Sequence, residues 1–418
     1  FLKVNGKTDA STLREDMVTQ QISGHLPVLL HPGRATRVLN IGLGSGVTAG
    51  ASLRYPEIDV VSVELSGAVV EGARHFAPYN HNVLEHPRHT LQIADAKDFI
   101  HLTRERFDVI INEPSNPWIS GVASLFTAEY FRAVKDVLTE DGVYVQWLQL
   151  YAFSDEAFSR SVRTLQSVFP YVTVWRFTRA DCLMVASLKP LQTEHLESRF
   201  AVVREHFTPE SPLPLAHASD LLLHQVLSHE AVMSAFGSRP PLNLDREPFL
   251  EFEAPRAMFR RKAPKVLDDL DERRDPGAAR RLLYARSVPA APDHIADVLE
   301  RAGQMSLAEH VRTSGALDAA PSAQDLVQAH ATGDPVPTLQ NAIERASTPS
   351  AEQCRAWTGR LAALAIHSRN ALHQPPLKRL EQFVGRCTTL HPVIAPALNE
   401  YLAKARYATG HLDTLRHQ

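Results

Sequence analysis

The stretch Arg37-Val38-Leu39-Asn40-Ile41-Gly42-Leu43-Gly44-Ser45-Gly46-Val47-Thr48-Ala49-Gly50 decides the fold. A β-branched run enters it, a helical pattern leaves it, and three glycines lie between. Glycine lets the backbone turn sharply and come close to a ligand. The N–H groups that open a helix can face an anionic or polar group. A dinucleotide turn reads G-x-G-x-x-G. Here position 47 is Val47 and the third glycine is Gly46, giving G-x-G-x-G. That spacing suits a nucleoside without a pyrophosphate, and taken alone it also fits a structural strand–helix turn.

Working outward, β-branched runs alternate with helical patterns. Strands are predicted at Arg37–Ile41, Val60–Glu64, Thr90–Ile93, Phe107–Asn112, Val143–Leu148, Val172–Phe177 and Cys182–Ser187, with helices such as Ser66–Ala77 and Thr127–Leu138 between them. Such alternation argues for an α/β fold, a parallel sheet covered on both faces. Only Thr178-Arg179-Ala180-Asp181 separates the last two strands. A link that short allows only an antiparallel hairpin.

The predicted strand ends carry polar groups where open α/β sheets bind ligands. Glu64 ends the second strand and can accept both hydroxyls of a ribose; the plainer reading is a surface cap for the helix at Ser66. Asp95, followed by Ala96, ends the third and can accept from an adenine amino group; the plainer reading is a helix N-cap. The fourth strand runs into Glu113-Pro114-Ser115-Asn116-Pro117-Trp118, whose prolines hold the loop extended. A partly desolvated Glu113 there can take a proton from an attacking amine. Asn116 can orient a polar group, and Trp118 can wall the site. The alternative is a rigid turn with Glu113 facing solvent.

Together Gly42, Gly44, Gly46, Glu64, Asp95-Ala96, the 113–117 loop and Ser124-Leu125-Phe126 resemble the spermidine synthase family, the aminopropyltransferases, over about Val4–Ser187. The resemblance implies a class I AdoMet-dependent transferase fold: a Rossmann-like, mostly parallel sheet with a C-terminal antiparallel hairpin. It implies an enzyme of polyamine biosynthesis that displaces at the sulfonium alkyl chain and releases methylthioadenosine. AdoMet or decarboxylated AdoMet is then a substrate, held by Gly42, Gly44, Ser45, Gly46, Glu64, Asp95 and Ala96, with Glu113 and Asn116 catalytic; no cofactor and no metal is implied. The acceptor side departs from the family. Ser45 stands where the glycine loop carries an Asp, Glu113 replaces the catalytic Asp, Asn116 replaces the second Asp of its loop, and Asp16-Met17 replaces Glu-Met. A dicationic diamine needs paired carboxylates, so ordinary putrescine aminopropylation is put in question. Losing negative charge would relieve repulsion against the carboxylate of AdoMet itself. Methyl transfer, aminocarboxypropyl transfer, acceptorless cyclisation or lyase chemistry, and a non-catalytic nucleoside-binding module are the alternatives.

Composition fits this reading. Of 418 residues, 44 are Lys or Arg and 47 are Asp or Glu, a net charge of −3. That balance leaves no electrostatic footprint for nucleic acid. Cys182, Cys354 and Cys387 make neither a disulfide framework nor a zinc site, so a reducing, cytoplasmic setting is expected. Ser115 lies in no G-x-S-x-G elbow. His25, His31, His75, His81, His86 and His89 match no metal spacing, which reads as core or solvated histidine. No run of about 18 apolar residues is present. The start at Phe1, together with Asn243–Arg256, resembles a bacterial subgroup of the family with an N-terminal membrane region; a homodimer is the family expectation. Residues 1–200 hold 11 of the 19 Gly and only 9 of the 28 Pro. That shift divides the chain into a lead-in at 1–36, a nucleoside-binding domain at 37–260 and an α-helical domain at 261–418. The third contains helical spacing at Leu361–Ile366, Leu377–Val384 and Ala397–Ala408.

Overall fold

The computed structural model describes residues 1–260 apart from 5 and 238–240, together with 263, 264, 266, 292–301, 304–314 and 385. Among the described residues the strands are β1 (Leu2–Val4), β2 (Lys7–Ala10), β3 (Arg37–Ile41), β4 (Asp59–Glu64), β5 (His89–Ile93), β6 (Phe107–Asn112), β7 (Leu138–Gln149), β8 (Tyr171–Trp175), β9 (Asp181–Ser187) and β10 (Gln225–Leu227). The helices are α1 (Arg14–Leu29), α2 (Val47–Ser52), α3 (Gly67–Ala73), α4 (Ala77–Asn80), α5 (Ala96–Leu102), α6 (Ala128–Asp136), α7 (Asp155–Gln166), α8 (Leu196–Val203), α9 (His229–Ala235) and α10 (Phe249–Phe259).

Eight strands form one sheet in the order β10-β8-β9-β7-β6-β3-β4-β5. Pairings among β3, β4, β5, β6 and β7 are parallel. β9 runs antiparallel between β7 and β8. This is the α/β class I transferase sheet that the sequence predicts. Successive strand residues feed opposite cores, as the period of two requires. Val38, Val60, Val109 and Ile111 pack under α1 and α2, whereas Leu39, Val61 and Ile110 face the α6–α7 side. The order reverses between β3 and β6, so the carboxyl ends of β3, β4 and β6 open onto one cleft.

Several elements differ from the sequence reading. The helix expected over Ser66–Ala77 is broken into α3, a 3-10 turn at Arg74–Phe76 and α4. Pro78 has no N–H for the ladder, so the chain restarts rather than continues. β7 begins at Leu138, with an irregular register between Phe107 and Val109 of β6. β10 and the β1–β2 hairpin are too short to carry a periodic signal.

Beyond 260, the helix Pro292–Arg301 packs Ile295, Val298 and Leu299 with Leu223. His294 Nε2 lies 3.0 Å from the buried Asp220 carboxylate. The three C-terminal helices predicted from spacing, with Cys354 and Cys387, lie outside the described residues; Cys182 is a buried free thiol. Among the described residues, no helix is long and apolar enough to cross a membrane.

Candidate active site

The glycine loop is held open by its backbone. Gly42, Gly44 and Gly46 all have left-handed φ, at 84°, 53° and 81°. A Cβ at Gly42 would stand 2.9 Å from the Glu113 carbonyl oxygen, and one at Gly46 would strike Val83 and Asn80. The loop and the Glu113 strand end are therefore packed backbone to backbone. Glu64 is buried and ties the loop to β4: Oε2 accepts from the Leu43 and Gly44 N–H at 3.0 and 3.5 Å, and Oε1 from the Ser66 N–H at 2.9 Å. Each oxygen keeps lone-pair capacity for a hydroxyl donor. Asp95 caps α5, its Oδ1 accepting from the Lys97 and Asp98 N–H. Ala96 opens that helix. Sequence reasoning missed Leu65 and Ile93, which follow Glu64 and precede Ala94-Asp95. They are 70% and 55% exposed at neighbouring strand ends, an apolar surface fit for a purine face. Their only signal was an aliphatic residue at the polar end of a strand.

Glu113 lies at the carboxyl end of β6, where its backbone N–H donates to the Ile41 carbonyl at 3.2 Å. Its side chain is enclosed, with some surface left to the cleft. Thr48 Oγ1 lies 2.6 Å from Glu113 Oε2 and 3.0 Å from the Gln20 carbonyl oxygen. The hydroxyl has one proton. It goes to the carboxylate when Glu113 is ionised; when Glu113 is protonated, the carboxyl donates to Oγ1 and Oγ1 donates to Gln20. Burial pushes the Glu113 pKa up to about 7, the Thr48 bond opposes this, and Asp181, Asp9 and Asp16 add to the rise by repulsion. Asp181 is pushed up to about 6, first by burial, while its Oδ2 accepts from Thr19 Oγ1 at 2.9 Å. Asp9, on β2, accepts from Ser115 Oγ at 2.8 Å.

Ser45 and Asn116 sit inside this frame. The buried Ser45 hydroxyl donates to Gln20 Oε1 and accepts from the Val47 N–H at 3.2 Å, fastening the glycine loop to α1. Asn116 is buried, and its Nδ2 donates to the Tyr151 hydroxyl at 3.2 Å. Tyr151 packs edge-on against Trp118, with centroids 6.0 Å apart. The acids that sequence reasoning missed here, Asp9 and Asp181, come from β2 and β9. With Asp16 of α1 they add repulsion that raises the Glu113 pKa further.

Three histidines pack edge to face in series. His25 and His206 ring centroids are 5.4 Å apart, and His206 and His81 are 5.3 Å apart. Arg54 donates to His206 Nε2 and pairs with Glu205. Burial lowers the His25 pKa well below its ordinary value, assisted by His206, His81 and Arg54, and lowers His81 to about 4. A depressed histidine binds its proton more readily in the unfolded chain. The contribution of these histidines is therefore full above about pH 6.5 and falls as pH drops toward 4, by up to about 1.4 kcal/mol per pH unit for the enclosed His25 and by less for the half-buried His81, which solvent screens. His81 holds a left-handed φ of 58°, which Asn tolerates. Between pH 7 and pH 5, His81→Asn is expected to lose less of its urea midpoint than the wild type. An equal loss in the two proteins would contradict this.

Among the described residues, no group of three or more His, Cys, Asp or Glu is placed to hold a metal ion. A family model described as the spermine/spermidine synthase domain matches residues 15–179. A polyamine aminopropyltransferase of Klebsiella pneumoniae subsp. pneumoniae is 30% identical over 235 residues, covering 53% of this chain and 80% of that protein. The polyamine aminopropyltransferase of Thermotoga maritima is 28% identical over 166 residues, 40% of this chain. The chain spans about half the length of that relative, 56%. Among solved structures, a spermidine synthase in complex with the transition state analogue AdoDATO aligns with a TM-score of 0.41 and 23% identity, over 54% of this chain and 73% of that one. With its α/β transferase sheet and glycine loop, the chain belongs to the spermine/spermidine synthase family.

Proposed function

We propose that the chain transfers an aminopropyl group from a sulfonium nucleoside to an amine and releases methylthioadenosine. The observation that carries this is Glu113, an enclosed carboxylate with a pKa near 7 set against the glycine loop. The acceptor enters as an ammonium and must lose a proton before its nitrogen can attack. Glu113 takes that proton. The nitrogen lone pair then attacks the methylene carbon bonded to sulfur. The C–S bond breaks, its electron pair goes to sulfur, and the sulfonium becomes a neutral thioether. In this reading Glu64 takes the ribose hydroxyls, Asp95 the purine amino group, and Leu65 and Ile93 the purine faces. Asn116 and Tyr151 border the acceptor.

Ser45 and Asn116 remove two family carboxylates, Asp16 keeps the acid of the Glu-Met position, and Asp9 and Asp181 add two that act on Glu113 from elsewhere in the fold. A cationic acceptor finds its counter-charges there. The extra carboxylate of AdoMet would meet repulsion, so decarboxylated AdoMet is the favoured nucleoside. Calorimetry compares the two: decarboxylated AdoMet is expected to bind about tenfold tighter, or more, the effect of one like charge in a partly buried site. Tighter binding of AdoMet would overturn this choice and favour methyl transfer or acceptorless cyclisation.

A further inference from the structure

The β1–β2 hairpin places two side chains on the acceptor loop. Lys7 and Asp9 are two residues apart on β2 and so share a strand face. Asp9 Oδ1 accepts from Ser115 Oγ at 2.8 Å. Lys7 Nζ stands 5.7 Å from the centroid of the Trp118 ring. That ring packs edge-on against Tyr151, whose hydroxyl accepts from Asn116. The Lys7 ammonium also donates to the Thr8 carbonyl at 3.0 Å. It is partly buried, and Asp9, Asp16 and Asp181 act on its charge. These are the carboxylates that also act on Glu113. A partly desolvated primary ammonium therefore stands beside Trp118, in the field of the carboxylates that also act on Glu113.

We propose that Lys7 is a resident ammonium that occupies the distal cationic position of the acceptor cleft and selects against amines carrying a second positive charge. The inference rests on the aminopropyl-transfer reading. The second ammonium of a diamine must compete with Lys7 for the Trp118 face and meet its positive charge in the field of the same carboxylates. A monoamine of the same length needs only the position beside Glu113. Lys7 thus determines specificity by charge, and its removal widens the cleft to dications.

The test compares 1,4-diaminobutane with n-butylamine, using wild type, Lys7→Met and Lys7→Arg. Methionine keeps an apolar stem over Trp118 and removes the charge; arginine keeps the charge. Thermal melts establish that all three proteins fold. Lys7→Met is expected to lower the KM for 1,4-diaminobutane about fivefold, the scale of one cation–π contact, and to move the KM for n-butylamine by less than twofold. Lys7→Arg is expected to keep the wild-type ratio. An unchanged or raised KM for the diamine in Lys7→Met, equal shifts for both amines, or a Lys7→Arg protein that behaves like Lys7→Met would each overturn the proposal. Calorimetric titration of 1,4-diaminobutane in the presence of methylthioadenosine separates the two readings. If no turnover is seen but Lys7→Met binds the diamine more tightly, the role of Lys7 stands and aminopropyl transfer fails. Equal binding with active enzyme overturns the role of Lys7 alone, and no binding to either protein overturns both.

Discussion

Glu113→Gln is expected to lower turnover by about 10²–10⁴-fold, the usual worth of a positioned general base, while nucleoside affinity stays within about twofold. Glutamine keeps the length and the Thr48 contact but cannot take a proton. The pH dependence follows from the same carboxyl. With a pKa of about 7, the ionised base accumulates above pH 7, so kcat/KM rises through neutrality and falls about tenfold per unit well below it. The variant is expected to show no such limb. Stability moves the other way. A carboxyl whose folded pKa is raised helps the fold at low pH and costs it stability as pH rises from about 4.5 through 7, because the unfolded chain releases the proton first. Glu113→Gln removes that cost, so the variant is expected to melt at a higher temperature than wild type at pH 8. Turnover within tenfold of wild type, or a retained acidic limb, would remove Glu113 from the role of base.

The second large effect is expected at Gly42, which touches neither proton nor nucleoside through a side chain. Its φ is 84° and an added Cβ would press to 2.9 Å from the Glu113 carbonyl oxygen. Gly42→Ala therefore adds backbone strain of about 1–3 kcal/mol and pushes the strand end that carries the base. A shift near 1 Å costs about 10²-fold in rate. We expect turnover to fall by about that factor and the melting temperature to fall by several degrees. Gly44→Ala is the internal control: it shares the left-handed backbone at φ 53°, but its Cβ meets nothing within 4 Å. Equal losses of turnover at the two positions would mean that strain in the loop, and not displacement of Glu113, sets the effect.

Much of the strand-end framework of the candidate nucleoside site was legible because local chemistry dictates it. Val60–Val63 and Phe107–Ile111 are β-branched or aromatic runs ending in Glu64 and Asn112, and the sheet places both ends at one edge. The acid-rich acceptor half was not legible. Asp9 reaches Ser115 across 106 residues, and Asp181 reaches Thr19 across 162. No spacing rule joins them; only the antiparallel insertion of β9 and the N-terminal hairpin do. Counting acids at the aligned positions 45, 113 and 116 therefore undercounts the charge around Glu113. The hydroxyl of Ser45 illustrates the converse. Its place in the loop invites a ligand role, yet its partners are Gln20 and the Val47 N–H. β10 escaped because Gln225–Leu227 follows Leu221-Leu222-Leu223, an apolar run whose periodicity favours neither helix nor strand.

The central claim is aminopropyl transfer to an amine, and product identity tests it most directly. Mass spectrometry follows incubation of the full chain with AdoMet or decarboxylated AdoMet, each with and without 1,4-diaminobutane. Methylthioadenosine is expected together with the aminopropylated diamine, formed at the raised KM that the charge of Lys7 imposes, from decarboxylated AdoMet plus amine and from no other mixture. Methylthioadenosine from AdoMet without any amine, or a methylated amine from AdoMet, would contradict it.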